Sequence, residues 1–301
     1  MATLRGDIYS LLRPGLRKVF GGYDMSPAQF KEFLTIEDSD KAEEQYAQVS
    51  LVSYAQVKKE LGPMNTDEGP RQKWLTRIVN ETVAQSFVMS SESIDDNQYQ
   101  KDFPMKTKAL HDAMLATKEV SAAMFLVNGF TVNQYDGVPL FSADHKTDLG
   151  TVSNLIAGDP SEATINDAMI LVSKFTSQAG IPIAATLKKA IISPKNYFIF
   201  SKLFKSTYET QSANNGINPI KSENLMPEGY SVNRYLSFVS AAGQNAWFIT
   251  TSIPGLIFQQ REKIKYDIQV DPYFGSVRTF AKERYGIGCR DFMSAVGSPG
   301  A

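Results

Sequence analysis

The chain has 301 residues, 43% hydrophobic and 21% charged, values ordinary for a folded globular protein and far from disorder, collagen-like repeats or a disulfide scaffold. Thirty-one basic residues against 32 acidic ones leave a formal net charge of −1, so no chain-wide basic field draws the protein onto nucleic acid, and any contact with DNA has to be local. The single cysteine, Cys289, excludes an intrachain disulfide and a cysteine-based zinc cage, and it fits a reducing compartment as a small buried apolar side chain.

Residues Met1 to Lys18 lack the apolar stretch of a secretory signal, and no later run approaches the ~18 apolar residues of a membrane span. The expectation is a protein that is cytosolic where it is made. Up to about Asp40, short apolar pairs such as Leu11-Leu12 and Val19-Phe20 alternate with Gly, Pro and charge, which reads as an arm that packs on something else. Gln45 to Glu60 and Arg71 to Phe87 are rich in Val, Thr, Ile, Tyr and Ser and flank the turn formers Gly62 to Pro70, which describes a long hairpin with a polar tip. Neither strand has one fully apolar face, so an isolated pair would be marginal and would expose its edges; such a hairpin needs a partner chain.

After Phe103-Pro104, Leu110, Ala113, Met114, Thr117, Val120, Ser121, Met124 and Val127 recur at helical spacing, predicting one amphipathic helix over about 105–128 that Asn128-Gly129 closes. Asp136 to Phe141 then makes a turn and a short apolar anchor, followed by a polar loop to Pro160. Ser161 to Ala179 is a second helix, capped by Ser161, striped by Ile165, Ala168, Met169, Val172, Phe175 and Ala179, and stopped by Gly180 and Pro182.

Ala190 to Ile192 is a buried-type strand, and Ser193-Pro194 opens a helix with Tyr197, Phe200, Leu203, Phe204 and Tyr208 on one side. Glu209 to Glu228, polar and rich in Asn and Ser, reads as a flexible loop. Strands follow at Tyr230 to Val239, Ala246 to Thr251 and Leu256 to Gln260. Ile264, Tyr266, Ile268 and Val270 then alternate with Lys263, Lys265, Asp267 and Gln269 as a half-buried strand. Val277 to Arg290 is a last strand before a flexible tail from Gly297 to Ala301. The fold class is α+β.

Residues for chemistry are scarce. The only histidines, His111 and His145, cannot form a His-x-x-x-His or His-Glu-x-x-His site, so no metal residues are expected. Ser142-Ala143-Asp144-His145 with Asp148 contains the residue types of a nucleophile, a base and an orienting carboxylate, and supports a hydrolase as a distant alternative. Residues so close in sequence do not usually assemble a triad, and no Gly-x-Ser-x-Gly elbow occurs, so a polar loop is the better reading and no catalytic residue is expected. Tyr285-Gly286-Ile287-Gly288 lacks the third glycine and the following helix of a dinucleotide loop, and no phosphate-binding loop occurs, so no cofactor is expected. Trp74, Trp247 and the thirteen tyrosines lie without basic interleaving and are better explained by core and interface packing than by base stacking.

The order of segments and several short motifs resemble the tailed-bacteriophage major capsid protein family: Leu12 to Phe20 is similar to its arm, Lys59 to Pro63 to its hairpin, and Ala113 to Glu119 to its spine helix. Asp136 to His145 is similar to the segment after that helix, a motif the family shares without enzymatic meaning. Ile191 to Pro194, Met226 to Asn233, Ala246 to Ile249 and Glu283 to Ala301 carry the likeness onward, with Cys289 and Met293 to Val296 departing from the family's commoner aromatic and Arg residues.

The resemblance implies an N-terminal arm (1–41), an extended hairpin loop (42–88), a peripheral domain with the spine helix (89–155), an axial domain (156–255) and C-terminal strands of the peripheral domain (256–301). It also implies hexamers and pentamers closing into an icosahedral virion shell around double-stranded DNA, assembled in the host cytoplasm. A separate scaffolding protein and a portal are the expected partners, with a decoration protein as an optional addition and no membrane. Arg13, Arg17, Thr66, Asp67, Glu68, Trp74, Asn214 and Asn215 are the expected inter-subunit contacts. An encapsulin-like nanocompartment shell is the alternative that shares this fold.

Overall fold

The computed structural model describes residues 28–50, 54–64, 66, 69–90, 92, 99–148, 150–208, 216–271 and 273–300. Strand and helix are mixed throughout, in two four-stranded sheets, two hairpins and one long helix.

A short 3-10 turn (Gln29–Glu32) buries Phe30 and is followed by strand β1 (Thr35–Asp38). β2 (Glu43–Ser50) and β3 (Arg71–Val79) then pair antiparallel as a two-stranded ribbon. The second arm of the expected hairpin, read from the sequence as one strand to Phe87, is in fact divided at Asn80: β4 (Glu81–Met89) leaves the ribbon and joins another sheet. Asn80 makes the division. Its Nδ2 donates to Ser39 Oγ (3.1 Å) and to the Lys41 carbonyl (2.9 Å), so its side chain spends its donors on the neighbouring crossover. The first arm also stops at Ser50, short of Glu60.

Helix α1 (Tyr99–Asn128) runs for 30 residues, starting before Pro104 and not after it. Proline there forfeits one backbone hydrogen bond. The turn is held by packing instead: Phe103 is buried and meets the Phe87 ring edge-on, with centroids 5.9 Å apart. The polar loop expected next contains a small hairpin, β5 (His145–Thr147) with β6 (Gly150–Val152).

Helix α2 (Glu162–Ser173) is capped as the sequence indicates: Ser161 Oγ accepts from the Thr164 N–H, and Thr164 Oγ1 accepts from the Ser161 N–H. It ends at Ser173, earlier than Ala179. Phe175 and Ala179 are still buried, but in a turn closed by the Ile183 N–H on the Phe175 carbonyl, which reproduces the apolar spacing without helical backbone.

β7 (Leu187–Ile192) precedes a Pro194–Asn196 turn, α3 (Tyr197–Lys205) and a one-turn α4 (Pro219–Ser222). Next come β8 (Tyr230–Val232), α5 (Arg234–Val239), α6 (Ala241–Asn245) and β9 (Trp247–Thr251). The strand expected over Tyr230 to Val239 is therefore half helix. Asn233 turns the backbone, its Oδ1 accepting from the Tyr235 N–H, and Leu236 is buried on the helical side.

β10 (Leu256–Asp271) is one strand with irregular register between Gln260 and Lys265, not two. β11 (Ser276–Cys289) pairs along it. The expected tail is also structured. After a Phe292–Ser294 turn, β12 (Ala295–Ser298) is fully buried and hydrogen-bonds β9, so Gly297 and Ser298 complete a sheet.

The sheets are ordered β1-β10-β11-β4 and β12-β9-β7-β8. The larger core, with Trp247, Phe175, Phe200 and Phe248 at its centre, lies around the second sheet and the C-terminal half of α1. A smaller one (Met89, Phe103, Leu110, Met114, Ile268, Val277, Ala281) lies between the other half of α1 and the outer ends of β10 and β11. Between them Lys118 Nζ and Glu283 Oε2 meet at 2.6 Å with both side chains buried. Burial pushes the Glu283 carboxyl above its ordinary range, and Lys118 opposes the shift.

Candidate functional site

The β2–β3 ribbon leaves the body where strand β3 crosses strand β11. There Tyr285-Gly286-Ile287-Gly288 places two glycines on one face, because side chains in a strand repeat every second residue. Ile78 fills that face: a Cβ on Gly288 would fall 2.6 Å from Ile78 Cγ1, and one on Gly286 would fall 2.6 Å from the Val79 carbonyl oxygen. The paired glycines admit a crossing strand at close approach. Ile78 and Thr76 are consequently buried, and the ribbon's base is fixed.

Further out the ribbon bends. Gln48 pairs with Trp74 but Val49 pairs with Gln72, so Lys73 is the extra residue of a bulge, and bulges re-aim side chains. Lys73 reaches an Asp148 carboxylate oxygen. Ser50 Oγ donates to the other oxygen at 2.9 Å. The Gln178 side-chain amide donates to Gln48 Oε1 at 3.3 Å, while the Gln178 backbone carbonyl accepts the Asp148 N–H at 3.1 Å. The Lys73 hydrogen bond holds the Asp148 carboxyl below its ordinary range, with Ser50 adding to it. Beyond this point Val57, Leu61 and Met64 are exposed, Val57 and Leu61 almost completely. A second ribbon end, the β10–β11 turn, likewise presents Tyr273 and Phe274, whose N–H groups both reach Asp271 Oδ1.

The Asp136 to His145 segment is a scaffold. His145 is fully buried; Nδ1 lies 2.5 Å from Asp136 Oδ2, and Nε2 lies 3.1 Å from both the Leu140 carbonyl and Asn154 Oδ1. The Phe292 ring stacks on the imidazole at 3.9 Å and 7°. Asn154 Nδ2 donates to the carbonyls of Leu140, Phe292 and Ala295, tying the segment to the turn before β12. Phe141 fits between Gly129 and Gly297, where a Cβ would lie 2.9 and 2.8 Å from its ring. Ser142, His145 and Asp148 do not assemble a triad in this geometry: Ser142 Oγ accepts from the Asp144 N–H, both nitrogens of the His145 ring face other partners, and the Asp148 carboxylate is taken by Lys73 and Ser50 of the ribbon. Among the described residues no group of three or more His, Cys, Asp or Glu is placed to hold a metal ion, and no helix is long and apolar enough to cross a membrane.

A family model, the Mu-like prophage major head subunit gpT, matches residues 10–164, just over half of the chain. The chain belongs to that family. The head subunit's fold is also that of capsid proteins of known structure. The capsid of the native GTA particle superposes over 92% of this chain and 91% of its own, with a TM-score of 0.59 and 12% identity. The capsid of Myoviridae phage XM1 does so over 93% and 94%, with a TM-score of 0.59 and 9% identity. A virus-like particle from Pyrococcus furiosus does so over 97% and 99%, with a TM-score of 0.53 and 12% identity. At such identities the likeness is one of fold. No curated protein matches. The protein is thus a tailed-phage major capsid protein, a structural subunit of capsid shells.

Of the contact residues expected from the sequence, Thr66 is exposed near the ribbon tip and Trp74 is half-buried beside the bulge of the head subunit. Arg13, Arg17, Asp67, Glu68, Asn214 and Asn215 lie outside the described residues. The groups that hold the ribbon, Lys73, Asp148, Gln178 and the glycine pair, were not among them. The two glycines within a strand were the available signal; nothing local marks Lys73 and Asp148 as partners 75 positions apart.

Proposed function

We propose that copies of this chain close as hexamers and pentamers into an icosahedral head that encloses double-stranded DNA. The observation that carries this reading is the pair of projecting ribbons whose apolar ends, Val57, Leu61 and Met64 on one and Tyr273 and Phe274 on the other, are left uncovered by their own subunit. Apolar surface of this kind marks a contact with another chain. In a ring of identical subunits each ribbon lies on the next copy, which repeats one modest contact until the shell closes.

In this arrangement Thr66, Asp67, Glu68 and Trp74 contact the neighbour under the ribbon, Arg13 and Arg17 belong to an arm (1–41) passing beneath another copy, and Asn214 and Asn215 meet their equivalents at the capsomer centre. The extended loop (42–88), peripheral domain (89–155 with 256–301) and axial domain (156–255) are the working divisions, with strand β12 returning from the C-terminal part to the axial sheet. Assembly takes place in the host cytoplasm with a separate scaffolding protein and a portal, a decoration protein can be added outside, and DNA is met through local Lys and Arg without sequence preference and with strong salt dependence.

The test is to produce the chain with its scaffold, with and without residues 57–64, and image the products. Closed shells from the parent chain and folded but unassembled subunits from the deletion are expected; normal shells from the deletion would refute the role of the ribbon. Purified heads that hold a protein cargo and no DNA would instead favour a nanocompartment.

A further inference from the structure

The contact between the ribbon and the body of its own subunit differs in kind from the rest of the fold. At its base the ribbon is locked by apolar burial of Ile78 against Gly286 and Gly288. At the bulge it is held by polar groups alone: Lys73 and Ser50 on the Asp148 carboxylate, and Gln48 on Gln178. Lys73 and Asp148 are each about one-third exposed, at 35% and 34%. Such a pair is worth little to the isolated chain and is readily exchanged with water. The residue that makes it is the extra residue of a bulge, where the ladder is already interrupted and the strand bends.

We propose that Asp148 and Gln178 form a receptor for the Lys73 bulge that is occupied within the subunit before assembly and by the ribbon of the adjacent copy in the shell. The complementary chemistry is present in a single chain: an anionic oxygen pair and an amide face a cation, a hydroxyl and a second amide, and every copy carries both halves. Exchange of one element between identical chains keeps each contact while changing its owner, and a head-to-tail exchange closes a ring. The intrachain contact also holds the exposed ribbon against its own body until a neighbour is present, which limits premature association. This inference rests on the shell reading above and names the site the ribbon would use.

The test treats the full chain, before and after assembly, with a carbodiimide, which joins a Lys amine to a carboxylate it touches; the products are run on a denaturing gel and the Lys73–Asp148 bridge is mapped by peptide mass spectrometry, with Asp148→Asn as the control. An intrachain bridge in free subunits and a ladder of linked chains from shells are expected. Intrachain bridges only in well-formed shells would overturn the exchange, as would no bridge in either state, whereas failure of the parent chain to form shells would count against the shell reading itself.

A second measurement needs no cross-linking. Lys73→Glu and Asp148→Lys each set like charges together, and each alone should weaken the contact roughly two- to five-fold and lower shell yield. Mixed in equal amounts, the two variants can satisfy each other only between chains, at every contact by alternation in a ring of six and at four of the five contacts in a ring of five. Recovery of yield in the mixture supports exchange, and no recovery refutes it.

Discussion

Replacing Lys118 by Met should destabilise the subunit by about 3–5 kcal/mol, because it strips the partner from a buried carboxylate. The two groups are 2.6 Å apart, with 9% and 1% of their side chains exposed. At an effective dielectric of about 20 their attraction is on the order of 6 kcal/mol. Burying two ions costs several kcal/mol each, so the pair as a whole is close to neutral while either half alone is costly. Lys118→Met combined with Glu283→Leu should therefore recover most of the loss. Denaturant unfolding of unassembled subunits, followed by tryptophan fluorescence, gives both differences. A loss of at least a few kcal/mol is a large share of the roughly 5–15 kcal/mol typical of a folded domain, so it will be plain in the midpoint. If Lys118→Met alone is neutral, the carboxyl is already protonated in the folded state and the ion-pair argument fails.

Gly288→Ala should cost about 1–3 kcal/mol by overpacking against Ile78, and Ile78→Val in the same chain should return part of it; equal midpoints for parent and variant would show that the crossing is not tight. His145→Ala should cost about 2–5 kcal/mol by leaving Asp136 and Asn154 without their shared partner and unstacking Phe292, and an equal cost in a chain that also carries Asp136→Asn would show that the Asp136 contact contributes nothing. The Asp148 carboxyl is held low in the fold, so its contribution is present at neutral pH and is lost as pH falls through and below its ordinary value of 3.8. Limited proteolysis of the ribbon in free subunits should accelerate in that acid window, and Asp148→Asn should abolish the acceleration.

The large elements were legible because their signals are local. Ser161 capping α2, the stripe of Ile165, Ala168 and Val172, and the alternation of Ile264, Tyr266 and Ile268 each follow from one short window. What was missed depends on distant partners. Asn80 divides a strand only because Ser39 and Lys41 stand beside it, and Pro104 is carried inside a helix only because Phe103 meets Phe87. Tyr230 to Val239 has strand composition throughout, yet the Asn233 side chain ends the strand and caps a helix. Gly297 and Ser298 look like a tail in composition and become a buried strand because Phe141 requires a glycine beneath its ring. The shell role was readable from the uncovered ribbon, whereas the groups that hold it were not, since a Lys in a strand bulge and an Asp in a distant turn share no periodicity to reveal them.

β12 carries a consequence for the order of events during synthesis. It is the edge strand beside β9, and its first residue, Ala295, accepts a hydrogen bond from Asn154, so residues around 150, 250 and 295 close on one another. A ribosome has to pass Ser298 before that sheet has its fourth strand, and domains complete themselves only once their last element has emerged. Until Ser298 has emerged, a growing chain thus exposes an unpaired β9 edge and an unfilled slot beside Phe141.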